Sequence, residues 1–584
     1  MSKFFITNKS EYAQIIIQNI KLSEFDISFE NHIDSIFAFT TKKLKLNHQN
    51  SLSIQNDFVI TNGMLLYKGG NSIKHWKQLY TDYNFNIPNI RNQSCGNYAI
   101  CIKKGSTIDI WGEEFGGFNI YYYNNENFFI ISNSLYDLAK ILKDKLSINK
   151  LNIYEEVLQN GILCEETFFN EIKRLSGNQY LHIDIDKNIL STLELELSYP
   201  ICKDNSTMCA KKIAKILSEN ASNIKNAIGN PSINMTGGLD ARISLATYLS
   251  VGAKPFLNYG VGNTGLTNTK NEDLNIDILF RNKYNLDLRI GSWKTPNPID
   301  KYWEYYSLKY GFLSTIYGGS NDVMNFFENC QGDIMTFGYT GELYRNLPWI
   351  ENRKTESFSI DEFIDEYYIT GEVYNMSKQI PNYRNHIKNK LLKICNRYHL
   401  DPNNINNADN FYFLLEYRKV ADSKLLNLAN MIKFSNLLLS EQKNLENIRV
   451  NISDMRNSKF MLEIINYLYP DVLEVPVFSH CTTRKYTKKT GILSPEKKSI
   501  KNFLVSLIPH NIKYSIKKLI KKDKVNNHNI ISKFIQDSLK EMSDTNFSNE
   551  IINNLSDYRK ISKYIHTMRI VNSIMSGKNS PQAN

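Results

Sequence analysis

Thr236, Gly237, Gly238, Leu239 and Asp240 form the segment of this chain whose residue types and spacing best suit chemistry. The alternating segment Ser232 to Met235 before it reads as a short strand and the apolar positions after it as a helix, so the segment is a turn entering a helix N-terminus. The first N–H groups of a helix lack intrahelical partners, and the helix dipole adds to their pull on anions. Phosphate is the guest such a turn favours. Two adjacent glycines let the backbone turn tightly and approach a ligand with no Cβ in the way. Thr236 adds a hydroxyl donor. Asp240 adds a carboxylate, which reaches a phosphate only through a divalent cation, as at Mg2+ sites beside nucleotides. An ordinary Gly-Gly turn capped by Asp would use the same residues, so the surrounding elements must decide between the two readings.

A chain of 584 residues exceeds what one core holds and predicts two to four domains, with two large lobes as the expectation. With 42% hydrophobic and 22% charged residues it reads as folded rather than disordered. Residues 50–185 are short β-rich runs between turn residues, an α+β lobe in which Asn62-Gly63, between apolar runs 58–60 and 65–67, predicts a hairpin. From about 196, helical periodicity at Ile213, Ile216 and Leu217 precedes the strand and glycine turn. A second strand over 255–259 completes a βαβ unit and predicts a parallel sheet covered by helices. Beyond 350 the pattern is mainly helical, with long segments over 410–432 and 461–468.

The net charge of +11 owes much to Lys501, Lys513, Lys517, Lys518, Lys521, Lys522 and Lys524, read as a solvated helix face because no nucleic-acid module accompanies them. The eight cysteines show no CxxC pair and no His cluster at metal spacing, which fits reduced thiols in a cytosolic protein. The N-terminus lacks an apolar core with a cleavage site, and no stretch approaches a membrane span, so a cytoplasmic location is expected.

Met235-Thr236-Gly237-Gly238-Leu239-Asp240-Ala241-Arg242 resembles the Ser/Thr-Gly-Gly-Leu-Asp-Ser signature of asparagine synthetases and their relatives, the β-lactam synthetases and lasso-peptide cyclases. Gly96-Asn97-Tyr98-Ala99, Trp111-Gly112-Glu113-Glu114-Phe115-Gly116 and Ile120-Tyr121-Tyr122 resemble segments of that family's amidotransferase-like domain. Glu166-Thr167-Phe168-Phe169 through Leu175-Ser176-Gly177-Asn178 resembles its boundary segment. The resemblance covers most of residues 55–500. It implies an α+β and α/β fold, with an N-terminal Ntn-amidotransferase-like β-sandwich lobe (1–195). A parallel-sheet PP-loop synthetase lobe follows (196–500), and then a basic helical extension (501–584). Tyr259 and Gly260 match the strand that contacts adenosine, and Asp273, whose alternative reading is an N-cap, matches the acidic helix start after it. Thr336-Phe337-Gly338-Tyr339-Thr340-Gly341-Glu342-Leu343 resembles the loop whose acidic residue holds Mg2+ opposite the signature Asp. That assigns the metal to Asp240 and Glu342. The family's Asp is Gly341 here, and its usual Ser after the signature Asp is Ala241. The relatives also place a Lys on a late basic loop, for which Arg484, Lys485 and Lys488 are the candidates, while Lys459 matches a helix start. Positive charge there would neutralise the reacting phosphorus and departing pyrophosphate.

Glutamine-dependent members use an N-terminal Cys as nucleophile; this chain has Ser2, followed by Lys3. A Ser with a free α-amine is a conceivable nucleophile, but the glutamine-binding pattern is not recognisable, so a first lobe without glutaminase activity is expected. The resemblance then implies an ATP-dependent ligase that adenylates a small-molecule or peptide carboxylate, releases pyrophosphate and AMP, and joins the acyl group to an amine. The alternatives are a glutamine- or ammonia-dependent asparagine synthetase or sugar-carboxylate amidotransferase, and a non-catalytic binding protein on the same fold. No nucleic-acid partner and no membrane span are expected, and a homo-oligomer is compatible with this reading.

Overall fold

The computed structural model describes residues 2–23, 25–33, 35–262, 272–293, 326–378, 380–479, 482–487, 492–495 and 558–576. Up to residue 194 the strands are β1 (Phe4–Thr7), β2 (Ile27–Ile33), β3 (Ile36–Thr41), β4 (Ser51–Ile54), β5 (Asp57–Gly63), β6 (Leu66–Tyr67) and β7 (Ser94–Cys95). They continue as β8 (Tyr98–Lys104), β9 (Thr107–Gly112), β10 (Tyr121–Asn124), β11 (Phe129–Ser132), β12 (Lys173–Arg174), β13 (Gln179–Asp184) and β14 (Ile189–Glu194). They make two six-stranded antiparallel sheets, ordered β12-β10-β11-β1-β3-β2 and β14-β13-β9-β8-β5-β4, and the short pair β6-β7.

Side-chain alternation decides how the layers stack. Along β5, β8 and β9, residues Phe58, Ile60, Cys101, Ile108 and Ile110 join the main core. The interleaved Val59, Ile100, Ile102 and Trp111 instead pack with Trp76, Leu79, Ile87 and Ile90 from helices α2 (Ile73–Asp82) and α3 (Ile87–Asn92). A strand with both faces buried must carry apolar residues at successive positions, as these do. Each such side chain contributes roughly 1.5–3 kcal/mol of transfer free energy. Helices α1 (Ser10–Leu22) and α4 (Leu135–Leu142) pack on each other and on β1 and β11 of the other sheet.

Asn62-Gly63 is not a hairpin turn. Both residues end β5, paired with Ala99 and Tyr98 of β8. Gly63 has φ +86°, and a Cβ there would stand 2.3 Å from the Asn97 carbonyl oxygen, so the pair is a strand-end bend at a close backbone approach. The Asn-Gly signal reports the positive φ; partner choice, set by the buried faces, decides the topology.

The second region holds a five-stranded, wholly parallel sheet made of β15 (Ser232–Asn234), β16 (Phe256–Gly262), β17 (Leu288–Trp293), β18 (Ile334–Phe337) and, after the two-residue pair β19 (Ser357–Phe358) and β20 (Ile405–Asn406), β21 (Phe434–Leu437). Its order is β17-β16-β15-β18-β21. The molecule is thus mixed α/β, with antiparallel sheets and one parallel sheet. Around that sheet lie α6 (Ser206–Ala227), α7 (Leu239–Ser250), α8 (Glu272–Tyr284), α10 (Asn410–Ile432) and α11 (Lys459–Leu468), with α9 (Tyr383–Tyr398) packed on α10. Helix α5 (Lys150–Gln159) of the first region receives the last described helix, Tyr558–Ser576, whose Lys563 pairs with Glu156 at 2.8 Å. The lysine-rich run 501–524 lies outside the described residues.

Helix α10 is buried along nearly its whole length, and its polar groups are held by distant partners. Asn427 donates to the Gly117 carbonyl at 2.8 Å and accepts from Asn119 N at 3.1 Å, which ties it to the antiparallel region. Glu416 accepts from Arg397 at 3.0 Å and from Lys419 at 3.0 Å. Cys202 and Cys209 are joined as a disulfide, contrary to the expectation of unpaired thiols. Their spacing of seven residues belongs to no motif, and the fold brings them together where α6 begins. Cys95, Cys101, Cys164, Cys330 and Cys395 are free and buried. Among the described residues no helix is long and apolar enough to cross a membrane.

Candidate functional site

Strand numbers in the parallel sheet rise outward from β15 on one side and from β18 on the other, so the direction of winding reverses between these two strands. A crevice forms beyond the C-terminal ends of strands at such a switch point, and ligands of open α/β sheets bind there. The two loops singled out by sequence, residues 236–238 after β15 and 338–341 after β18, both leave this edge.

Gly238 is the N-cap of α7 with no side-chain capping bond, and Asp240 lies in the first turn. Thr236 is exposed, Gly237 and Leu239 are buried, and Ala241 is buried in the core. The Gly237 N–H is not open to a ligand, because it donates to Asp273 Oδ1 at 2.7 Å. Asp273 stands in the first turn of α8, so its carboxylate sits across the gap at the α7 start rather than capping its own helix. Burial raises its pKa while the Gly237 N–H opposes the shift. One turn on, Asp277 is fully buried and neither carboxylate oxygen has a partner among the described residues. Burial, then repulsion from Asp273, pushes it up to about 8. Tyr259 and Gly260 line up on β16, and burial next to Asp273 and Asp277 raises the Tyr259 phenol.

Gly341 explains its own identity. A Cβ there would lie 2.4 Å from Asp240 Oδ1, and one at Gly338 would lie 2.7 Å from the Asp240 carbonyl. The loop therefore closes on Asp240 only where residue 341 has no side chain. Thr340, before it, is a β-branched residue at φ +68°, a conformation that costs of order 1–3 kcal/mol and clusters at functional sites. Its N–H donates to Asp422 Oδ2 at 3.0 Å, which helps hold the turn.

Asp240 and Glu342 converge, but on a guanidinium. Arg345 Nη2 lies 3.3 Å from Asp240 Oδ2 and 3.9 Å from Glu342 Oε1. Arg418 continues the chain, 3.1 Å from Glu342 Oε1 and 3.4 Å from Asp422 Oδ1. Asp240 Oδ1 is buried without a partner among the described residues. Burial pushes Asp240 up to about 6, with Arg345 opposing and Glu342 adding to the rise. Burial likewise pushes Asp422 up to about 7 against the pull of Arg418. Sequence reasoning missed Arg345, Arg418 and Asp422. Arg345 stands three residues past Glu342, a spacing that pairs charges within one helical turn, whereas nothing local points to Arg418.

Arg242, also missed, is fully buried and donates to the carbonyls of Val472, Val475 and Pro476, and to Gly237 O at 3.4 Å. It pins the glycine turn to the segment that leads into a three-stranded antiparallel sheet of β22 (Val477–Ser479), β23 (Thr482–Thr487) and β24 (Ile492–Pro495). Arg484 and Lys485 belong to β23, a strand rather than the expected basic loop, and Lys488 lies outside the described residues. Lys459 pairs with Asp454 at 3.6 Å at the start of α11.

In the first region, Ser2 Oγ donates to Asn62 Oδ1, joining two residues that sequence had singled out separately. Asn62 Nδ2 donates to Thr40 Oγ1 at 3.3 Å, and Asn50 Nδ2 donates to the same oxygen at 3.1 Å. Ser2 has no exposed surface, and the neighbouring Lys3 is equally buried, paired with Asp137 at 2.7 Å.

The sequence matches no family model and no curated protein. Among solved structures, the chain is similar to glutamine phosphoribosylpyrophosphate amidotransferase from B. subtilis complexed with ADP and GMP. The identity is 8% and the TM-score 0.23, over 50% of this chain and 66% of that one. It is also similar to a structure described as the allosteric regulatory enzyme of purine biosynthesis, at 8% identity and TM-score 0.23, over 60% of this chain and 77% of that one.

Proposed function

We propose that the protein is an ATP-dependent ligase that activates a carboxylate as its acyl adenylate and passes the acyl group to an amine. The observation that carries this reading is the meeting of the two loops at the switch point of the parallel sheet, with the partnerless oxygen of Asp240 between them. The polyphosphate of the nucleotide lies at the α7 N-terminus, on the N–H groups of the glycine turn. Asp273 must then leave Gly237, since a carboxylate and a phosphate cannot share one donor without strong repulsion. The substrate carboxylate oxygen bonds to the α-phosphorus as the bond to pyrophosphate breaks. The amine nitrogen then bonds to the acyl carbon, and AMP leaves.

Mg2+ takes oxygen ligands from one or two carboxylates together with phosphate oxygens. Asp240, with its unpartnered Oδ1, and Glu342 offer that donor set, so the residues fit the ion, which when bound would neutralise charge on the phosphates. Arg345 Nη2 bridges the two carboxylates and Arg418 pairs with Glu342, so Arg345 must give up its bridging contact when the ion binds.

Incubation with Mg2+-ATP and a panel of carboxylates, followed by detection of AMP and pyrophosphate, tests this reading. Formation of both with at least one acid is expected. ADP as the product, or neither AMP nor pyrophosphate with any acid, contradicts it. A second reading, a binding protein without turnover, draws support from the contacts that close the site, Asp273 on Gly237 and Arg345 on Asp240. Tight nucleotide binding without hydrolysis is its signature.

A further inference from the structure

Beside the chain of charges lies a pocket of about 40 Å3. Arg345 and Glu342 belong both to that chain and to the pocket wall, so Arg345 links the pocket to Asp240. Much of the remaining wall is apolar, built from Leu343, Ile350, Phe411, Leu414 and Met455 among others. Three charged residues line it, Arg345, Arg449 and Glu342, and Arg449 pairs behind the wall with Asp409 at 2.9 Å. Arg345 Nε and Arg449 Nε are buried with no acceptor among the described residues. A buried donor without a partner costs of order 1–3 kcal/mol and calls for an explanation. A guanidinium with unused N–H groups next to an apolar cleft suits a carboxylate that carries a short alkyl group.

We propose that this pocket is the acyl subsite, taking a short-chain carboxylate whose anionic end pairs with Arg345 and whose alkyl end enters the cleft. Its link to Asp240 through Arg345 gives it meaning as a substrate site, and to that extent the proposal rests on the adenylation reading. The volume sets the chain length. One water needs about 10–15 Å3 of such space, so the cleft holds about three carbon groups beyond the carboxylate. Pairing of the incoming carboxylate with Arg345 competes with Asp240 for the same guanidinium, and so turns Asp240 toward the nucleotide.

Calorimetric titration of the full chain with acetate, propionate, butyrate and hexanoate, in the absence of nucleotide, tests the proposal. Affinity is expected to rise about fourfold per methylene from acetate to butyrate and then to level off. Arg345→Gln is expected to weaken butyrate at least tenfold. Because that substitution also disturbs Asp240, Leu414→Ala serves as an independent variant on the apolar wall, and it should extend the gain to hexanoate. No binding of any acid, equal binding of all four, or a chain-length profile unmoved by Leu414→Ala overturns the proposal. The two readings fail separately. Acids that bind with this profile but yield no AMP contradict adenylation alone, and acids that yield AMP without this profile contradict the subsite alone.

Discussion

Two polar clusters, one in each region, were candidates for chemistry, and they differ in how their hydrogen bonds are completed. In the antiparallel region, Ser2, Thr40, Asn50 and Asn62 are neutral, sealed from solvent and bonded to one another. At the parallel sheet, Asp240, Arg345, Glu342 and Arg418 are charged and partly exposed, and the cluster includes one oxygen and two nitrogens with no partner among the described residues. A satisfied neutral network specifies packing, whereas buried groups left unsatisfied await a ligand or have a function that repays the cost. Residue types alone do not separate the two cases; the completeness of the bonding does.

That contrast breaks most readily at Gly341. Gly341→Asp would restore a second carboxylate, but its Cβ falls within 2.4 Å of Asp240 Oδ1. Overlap of this kind costs about 1–3 kcal/mol before the like charge is added. Denaturant unfolding should show a loss of that size or more, and unchanged stability would mean that the loop is not closed on Asp240.

Asp273→Ala sharpens the reading of the occupied glycine turn. Freeing the Gly237 N–H and removing a nearby negative charge should tighten ATP or pyrophosphate binding by about tenfold. Weaker binding in calorimetry would make Asp273 a nucleotide ligand instead, the role its resemblance implies.

Asp277 governs a pH effect whose sign is unusual for a carboxylate. Its folded pKa, about 8, exceeds the unfolded value, so the folded state binds the extra proton between the two. Stability is therefore highest below the unfolded pKa and falls as pH rises from about 4 to about 8. Asp277→Asn should raise stability by about 1 kcal/mol or more at pH 8 and change it little at pH 4, as read by melting curves. An equal effect at both pH values would contradict the assignment.

Ser2→Ala is expected to have the smallest effect on catalysis. It removes one buried hydrogen bond and should cost about 1–2 kcal/mol of stability, with AMP formation unchanged within twofold. Loss of a glutaminase activity in this variant would turn the sealed network into a site.

The parallel region was more legible in sequence than the antiparallel one, because its signals are local. The turn at residues 236–238 and the long helix Asn410–Ile432 each follow from contiguous residues. Asn62-Gly63 misled, since a glycine at positive φ ends a strand here as readily as it turns a hairpin. The disulfide of Cys202 and Cys209 and the partners of Asp240 were out of reach for a different reason. Arg345 stands more than a hundred residues from Asp240 and meets it only through the order of strands in the sheet, and Arg418 joins the cluster through Glu342.

Carboxylate-dependent exchange of labelled pyrophosphate into ATP decides whether the protein adenylates, because it reports reversible adenylate formation with no need for the amine. Exchange is expected to require Mg2+ and a short-chain carboxylate and to fall at least about a hundredfold in Asp240→Asn. Exchange that survives this substitution, or its absence from a wild-type protein that binds both ATP and the acid, would contradict it.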